Sequence, residues 1–362
     1  MFSGFFNNKR VFLTGHTGFK GSWLAEWLLM LGAEVHGYAL DPQAHEILFK
    51  QLGLEKRLAS DTRANLTDQA ALRQAMDAAN PEIILHLAAQ PLVRLSYEIP
   101  IETFATNIMG TAHVLDAVRL RNKPCTVVCI TTDKCYDNRE WLHAYREEDA
   151  MGGHDPYSAS KGAAELVIQS YRKSFFGQDS PIRLASARAG NVIGGGDWAL
   201  DRIVPDCIRA IRAEQSIPVR NKIATRPWQH VLEPLSGYLC LAAKLHQNRD
   251  LASAFNFGPA LTSNRTVAEL VIELLKHTGG NWTDASVPNA FHEASKLNLA
   301  TDKAFHLLQW QPVWNFEETI ATTAEWYFQE PTSRDIHSLT QRHIHAYQFA
   351  ASSKGIPWAK TD

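Results

Sequence analysis

Short, wholly apolar runs alternate with amphipathic stretches through the first half of the chain. Val11-Phe12-Leu13-Thr14 reads as a strand. Ser22 to Leu31 reads as a helix, with Trp23, Leu24, Trp27, Leu28 and Leu31 on one face and Gly32 as a stop. Glu34 to Ala39 predicts a second strand. Asp68 to Ala79 predicts a helix that ends before Pro81, and Ile83 to Leu87 a continuous apolar strand. Glu102 to Arg119 is helical in pattern, Thr126 to Thr131 is a strand, Tyr157 to Phe175 a helix and Ile182 to Ala187 a strand. Strands that are apolar on both faces and separated by helices imply an α/β fold, a doubly wound parallel sheet covered on both sides. After residue 188 the pattern breaks up: Gly194-Gly195-Gly196 marks a loop, and short helices, turns and strands follow. The expected division is residues 1–188, plus a returning segment of about 224–258, for the sheet domain. Residues 189–223 and 259–330 form a smaller mixed α/β substrate-binding domain, and 331–362 a polar, His-containing C-terminal extension whose elements the pattern does not define.

Composition narrows the class. At 362 residues, 45% hydrophobic and 20% charged, the chain is globular and longer than one compact core usually serves, which favours a large domain with a smaller one attached. Lys+Arg number 36 against 38 Asp+Glu, so no net charge draws the chain to nucleic acid or an anionic membrane. No apolar run reaches membrane-spanning length; Glu26 and Glu34 interrupt the most hydrophobic early stretch. Met1 to Arg10 lacks the basic-then-apolar pattern of a secretory signal. The five cysteines are odd in number and without CxxC, which predicts reduced thiols in a cytoplasmic protein. The 15 histidines show neither HExxH nor a tight cluster, so no metal is expected, and His86, inside an apolar strand, reads as a core residue.

Thr14-Gly15-His16-Thr17-Gly18-Phe19-Lys20-Gly21 joins the first strand to the first helix. Glycines there permit a tight turn and close approach of a pyrophosphate, and a helix N-terminus favours its negative charge. A G-x-x-G-x-x-G spacing is a weak signal alone and a strong one between a strand and a helix; it points to a Rossmann-type dinucleotide site. The acid that holds the adenosine ribose should end the second strand, where Ala39 stands, but Asp41 follows two residues on. The sequence shows no arginine nearby to neutralise a 2′-phosphate, which favours NAD over NADP.

Tyr157-Ser158-Ala159-Ser160-Lys161 puts a phenol and an ammonium at i and i+4, on one helical face. A free tyrosine is a poor base at neutral pH; a nearby Lys⁺ and an oxidised nicotinamide favour its phenolate. Such a pair takes a proton from a sugar hydroxyl while the cofactor is reduced. Alone, YxxxK is a common surface pair. Here Thr132, Asp133 and Lys134 close a preceding strand, at the carboxyl end where ligands bind in such sheets, with Thr132 able to bond the hydroxyl that Tyr157 deprotonates.

TGHTGFKG, HLAAQ at 86–90, Asn107 in NIMGT, TTDKCYDN at 131–138 and YSASK resemble the extended short-chain dehydrogenase/reductase superfamily. The Asp-Lys after Thr132 resembles its nucleotide-sugar 4,6-dehydratases. QPLVRLSY at 90–97, RAGNVIGGGDWALDRIVPD at 188–206, TRPWQHVLEPLSGYL at 225–239 and HEASKLNLATDKA at 292–304 resemble the branch acting on CDP-glucose, over about residues 6 to 328. Three positions depart from the pattern: Asn65 where Asp is frequent, Arg94-Leu95 where Arg-Arg is common, and Gln309 where Gly usually precedes Trp310.

The resemblance implies a hydro-lyase that converts CDP-glucose to a CDP-4-keto-6-deoxyglucose and water, by C4 oxidation, C5/C6 dehydration and C6 reduction with internally recycled NAD. It implies cofactor contacts from Thr14, Gly15, Gly18, Phe19, Lys20, Gly21, Asp41, Asn65, Leu66, Leu87, Ala88, Ala89, Asn107, Tyr157 and Lys161. Catalysis falls to Thr132, Asp133, Lys134, Tyr157 and Lys161, with Lys134 the candidate C5 base, the alternative being that it orients groups while another residue takes that proton, and Asp133 the candidate acid at the C6 hydroxyl. Arg94, Asn191, Arg226, His292 and Glu293 are the substrate contacts. A homodimer built on the helices near Glu102 and Tyr157, or a homotetramer, and a cytoplasmic role in making deoxysugars for surface polysaccharide such as lipopolysaccharide O-antigen follow from the same resemblance. The alternatives are a dehydratase for a UDP-, dTDP- or GDP-sugar, a 4-epimerase, for which Asp133 and Lys134 would be idle, and a non-catalytic dinucleotide sensor, for which Tyr157 and Lys161 would be.

Overall fold

The computed structural model describes residues 1–286, 296–329 and 335–360. Its central element is a seven-stranded parallel sheet of β1 (Arg10–Thr14), β2 (Glu34–Ala39), β3 (Ser60–Arg63), β4 (Ile83–His86), β5 (Cys125–Ile130), β6 (Ile182–Ala189) and β7 (Ala254–Phe257). The order across the sheet is β3-β2-β1-β4-β5-β6-β7, with every pair parallel. The order reverses between β1 and β4, which opens a crevice beyond their carboxyl ends.

Neighbouring residues on each strand serve opposite layers, which explains their unbroken apolar character. Val11, Leu13, Ile83, Leu85 and Val128 face one core with α1 (Phe19–Met30) and α5 (Leu232–Gln247). Phe12, Ile84 and Val127 face the other with α2 (Gln69–Ala79), α3 (Gly110–Arg121) and α4 (Pro156–Ser174). Asp68 caps α2 by accepting from Ala71 N at 3.0 Å, and Asp155 caps α4 by accepting from Ser158 N at 2.9 Å. Among the described residues no helix is long and apolar enough to cross a membrane, and all five cysteines are buried free thiols.

Three elements differ from the pattern-based expectation. β3 is polar and half-exposed, so it carried no apolar signal. The helix expected from Glu102 to Arg119 is Pro100–Phe104, then one wide π-helical turn over Ala105–Met109, then α3. The C-terminal extension contains α6 (Ile336–Ser353), which lies along α1. There the buried Glu26 carboxylate accepts from Gln341 Nε2 at 2.9 Å and Arg57 Nη2 at 3.0 Å, and meets His337 Nε2 at 3.0 Å. Beyond α6, Trp358 stacks on Phe2 with ring centroids 5.0 Å apart and packs against Trp27. A second buried carboxylate, Glu233 on α5, accepts from the backbone of Val313 (2.9 Å) and Trp314 (2.7 Å) and from the Tyr347 hydroxyl (2.8 Å). The extension is therefore part of the core.

Candidate active site

A cavity of about 1010 Å³ runs along the carboxyl ends of the strands. That is roughly the upper limit for a site holding one small ligand, so it has room for two. One end is the glycine turn. Gly15 has φ of +75°, and a Cβ there would sit 2.7 Å from Ala88 N; a Cβ on Gly21 would sit 2.0 Å from Gly15 O. Only glycine lets the turn close this tightly. No side chain caps the N-terminus of α1, which begins after Gly18, so its first amides are left for a ligand. Gly15, Gly18, Phe19, Lys20, Gly21, Asp41, Asn65, Leu66, Leu87, Ala88 and Ala89 all line this end, a surface that fits a dinucleotide.

Two expected cofactor residues do not reach the cavity wall. The buried Thr14 hydroxyl accepts from Ala88 N at 3.1 Å and pairs with His86 Nδ1 at 2.7 Å. Burial pulls the His86 imidazole down to about 3, so the ring is a neutral core group. Asn107 sits in the wide helical turn. Its amide accepts from Gln90 N (2.8 Å) and donates to Gln90 O (3.1 Å) and Ser160 Oγ (2.8 Å), which uses it fully as a clamp. The sheet register also corrects the view that no arginine lies near Asp41. Arg63 pairs beside Ala39 on β3, but its guanidinium is bonded to Asp61 at 2.7 Å and lies over the Phe49 ring.

In the middle of the cavity Thr132, Asp133, Lys134, Tyr157 and Lys161 share one wall. Thr132, Asp133 and Lys134 follow β5, and Tyr157 and Lys161 lie on the buried face of α4. Ser96 Oγ accepts from Tyr157 N at 3.2 Å and fixes the start of that helix. Thr132 Oγ1 donates to Asp133 Oδ1 at 2.9 Å; Lys134 Nζ lies 3.6 Å from the same oxygen and donates to Asn191 Oδ1 at 3.1 Å. Burial pushes the Tyr157 phenol up, against contact with Thr132 and the charge of Arg202. Burial pulls Lys161 down to about 8, opposed chiefly by Glu165. It does the same to Lys20, also to about 8, with Arg202 adding to the effect and Asp133 opposing it.

The other end is built from short elements. Arg94, Asn191 and Arg226 line it; His292 and Glu293 lie outside the described residues. Arg94 Nη1 and Arg220 Nη1 both donate to Asp201 Oδ1 at 2.9 Å, while Arg220 Nη2 reaches Asp206 Oδ2 at 3.2 Å. Arg202 Nη1 donates to Asp197 Oδ2 at 2.6 Å. Arg202, Asp201 and Arg220 escaped the reading of the sequence, although the DWALDR run that follows three glycines brings two of them onto one loop.

A tyrosine–lysine helix facing a glycine turn across a 3-2-1-4-5-6-7 parallel sheet defines a short-chain dehydrogenase/reductase architecture, with an acid–amine pair added after β5. The chain belongs to the GDP-mannose 4,6 dehydratase family, whose model matches residues 12–323. It is 45% identical to the CDP-glucose 4,6-dehydratase of Salmonella typhimurium, over 96% of this chain and 98% of that one. Its fold matches the structure of dTDP-glucose 4,6-dehydratase from Streptomyces venezuelae, solved with NAD bound, at a TM-score of 0.77 and 21% identity, covering 89% of this chain and 98% of that one. UDP-glucose 4-epimerase from Thermotoga maritima gives 0.75 at 19% identity, with coverage of 89% and 99%.

Proposed function

We propose that the protein is an NAD-dependent CDP-glucose 4,6-dehydratase. The observation that carries the reading is the convergence of Thr132, Asp133, Lys134, Tyr157 and Lys161 on one wall of a cavity that the glycine turn closes. The full-length likeness to the Salmonella enzyme supports the choice of nucleotide. On this reading residues 1–188 and 224–258 hold the dinucleotide, and 189–223 with 259–330 hold the nucleotide sugar in the cytoplasm.

Tyr157, assisted by Thr132 and Lys161, takes the proton of the sugar C4 hydroxyl. NAD, held along Gly15 and Gly18 and beside Lys161, would supply an acceptor for the C4 hydrogen with its electron pair and a source of the same pair for C6. The C4 ketone acidifies the C5 proton, which Lys134 takes. Asp133 gives a proton to the C6 hydroxyl, which leaves as water. Lys134 returns its proton to C5, and the proton held by Tyr157 replaces the one Asp133 gave up. Arg226 and Asn191 hold the diphosphate, since an arginine makes charge-assisted bonds to phosphate.

Incubation with CDP-, UDP-, dTDP- and GDP-glucose, followed by mass spectrometry, tests the reading. Loss of one water from the CDP sugar is expected; an epimerase gives no mass change, and a sensor gives no product. Lys134→Met should retain NAD and lose solvent exchange at C5; rapid exchange in that variant removes Lys134 from the role.

The homodimer belongs to the same proposal. Ile101, Met109, Leu120, Leu166 and Phe175 are large apolar residues, each at least half exposed, on or directly after the adjacent helices Pro100–Arg121 and α4. Leu166→Glu should convert the protein to monomers in light scattering.

A further inference from the structure

We infer that Glu165 is a positioning residue for Lys161, the buried carboxylate one helical turn beyond it, with Arg188 as the ion-pair partner that holds Glu165 in place. The inference rests on the dehydratase reading only for its consequence in turnover.

Tyr157, Lys161 and Glu165 stand at i, i+4 and i+8, on the buried side of α4. Both carboxylate oxygens are bonded. The carboxylate accepts from Thr131 Oγ1 at 2.5 Å, Ser186 Oγ at 2.9 Å and Arg188 Nη2 at 2.9 Å. Arg188 also donates to the Tyr136 hydroxyl at 2.7 Å and to Glu147 O at 2.9 Å, and Tyr136 donates to Asn256 Oδ1 on β7 at 2.7 Å. The segment that carries Thr132, Asp133 and Lys134 is thus pinned at both ends by one ion pair, through Thr131 to Glu165 and through Tyr136 to Arg188.

Stability alone does not account for the pair. Both members are about 4% exposed, and a well-packed apolar pair of similar volume commonly serves such a place as well. What an apolar pair does not supply is an anion beside Lys161. Tyr157 and Glu165 stand one turn before and one turn after Lys161 on its own helix, and the further groups that act on its charge are Cys129 on β5, Cys135 after it, His86 on β4 and Lys20 in the glycine turn. Burial pushes both thiols up and His86 down, so these stay neutral, and Lys20 opposes a second cation. Burial would push Glu165 up as well, but Arg188, Thr131 and Ser186 outweigh it and hold the carboxyl below its ordinary value. Of these six groups Glu165 is the one ionised acid.

The test uses ¹³C NMR of the lysine Cε carbons in the ligand-free protein, with Lys161→Met to assign the signal. Because Glu165→Gln alone strands a buried guanidinium, the informative variants are Glu165→Gln/Arg188→Gln and Glu165→Gln/Arg188→Met, each checked for native circular dichroism. The wild-type Lys161 midpoint is expected near pH 8. In either double variant it should fall by roughly tenfold in proton affinity, and Glu165→Asp should stay within about threefold of wild type. The high-pH limb of turnover should move down with it. An unchanged midpoint in a folded double variant overturns the inference. The NMR readout needs no substrate, so it stands or falls separately from the dehydratase reading, which fails if the wild-type chain releases no water from CDP-glucose.

Discussion

The two halves of the cavity are held by different forces. The wall formed by β5, β6 and α4 is buried and cross-bonded, with Glu165 and Arg188 each bonded to several partners. The opposite rim is fixed by Arg94, Asp201 and Arg220, each between 42% and 48% exposed. Buried pairs in low dielectric hold geometry to a fraction of an ångström; exposed pairs are screened and worth little. On the proposed reading the chemistry is attached to the stiff half and the nucleotide to the more exposed one. Asp201 places a carboxylate oxygen where two guanidinium groups converge, which is also where a phosphate would be welcome.

The largest effect should come from the stiff half. Tyr157→Phe should lower kcat by about 10³-fold or more while the thermal midpoint stays put, as measured by turnover and calorimetry. A pH experiment sharpens the same contrast. Burial raises Glu233 from 4.5 to about 7, against bonds from Trp314, Val313 and Tyr347. A carboxyl raised in the folded state binds extra protons there, so its contribution is present in full below about pH 4.5 and is lost as pH rises through about 7. That amounts to about 3 kcal/mol. Denaturant melts of wild type and Glu233→Gln at pH 4.5 and 8 should show the wild type losing this much more stability over the interval; parallel behaviour would refute it. On the exposed rim the effects should be smaller and salt-dependent. Arg226→Ala should weaken CDP by about 2 kcal/mol, whereas Asp201→Asn should tighten it by a few tenths to about 1 kcal/mol, the gain vanishing in high salt. Calorimetric titration with CDP measures both, and weaker binding by Asp201→Asn would break the contrast between the halves. The smallest change expected is Gln309→Gly: this residue ends a helix at φ of +51°, where glycine is unstrained, so the variant should gain up to about 1 kcal/mol in denaturant melts.

The stiff half was also the legible half. Its strands are apolar on both faces, so β1, β2, β4, β5 and β6 follow from periodicity to within a residue or two. The glycine turn and YSASK are local patterns that a fold must place at one sheet edge. Illegible elements share a cause: their meaning is set by distant partners. β3 is polar because it sits near the sheet's margin. Asn107 and Thr14 are polar residues in recognised motifs, yet their bonds are spent inside the protein, on Gln90, Ser160 and His86. Arg202, on the loop after β6, and Arg220, beyond a further helix and a short strand, come together only at the cavity wall. The histidines and glutamines of α6 disguised a core helix because two of them, His337 and Gln341, serve the buried Glu26.

That last contact joins the far end of the chain to the helix that starts at the glycine turn. A protease nick or deletion within residues 335–360 would strip the cover from Trp27 and leave Glu26 without two of its partners, behind the very amides on which the dinucleotide would rest. Loss of the extension should therefore be felt first as a slackened grip on the coenzyme, and the sheet with its crossovers is no minimal catalyst that survives being pared down.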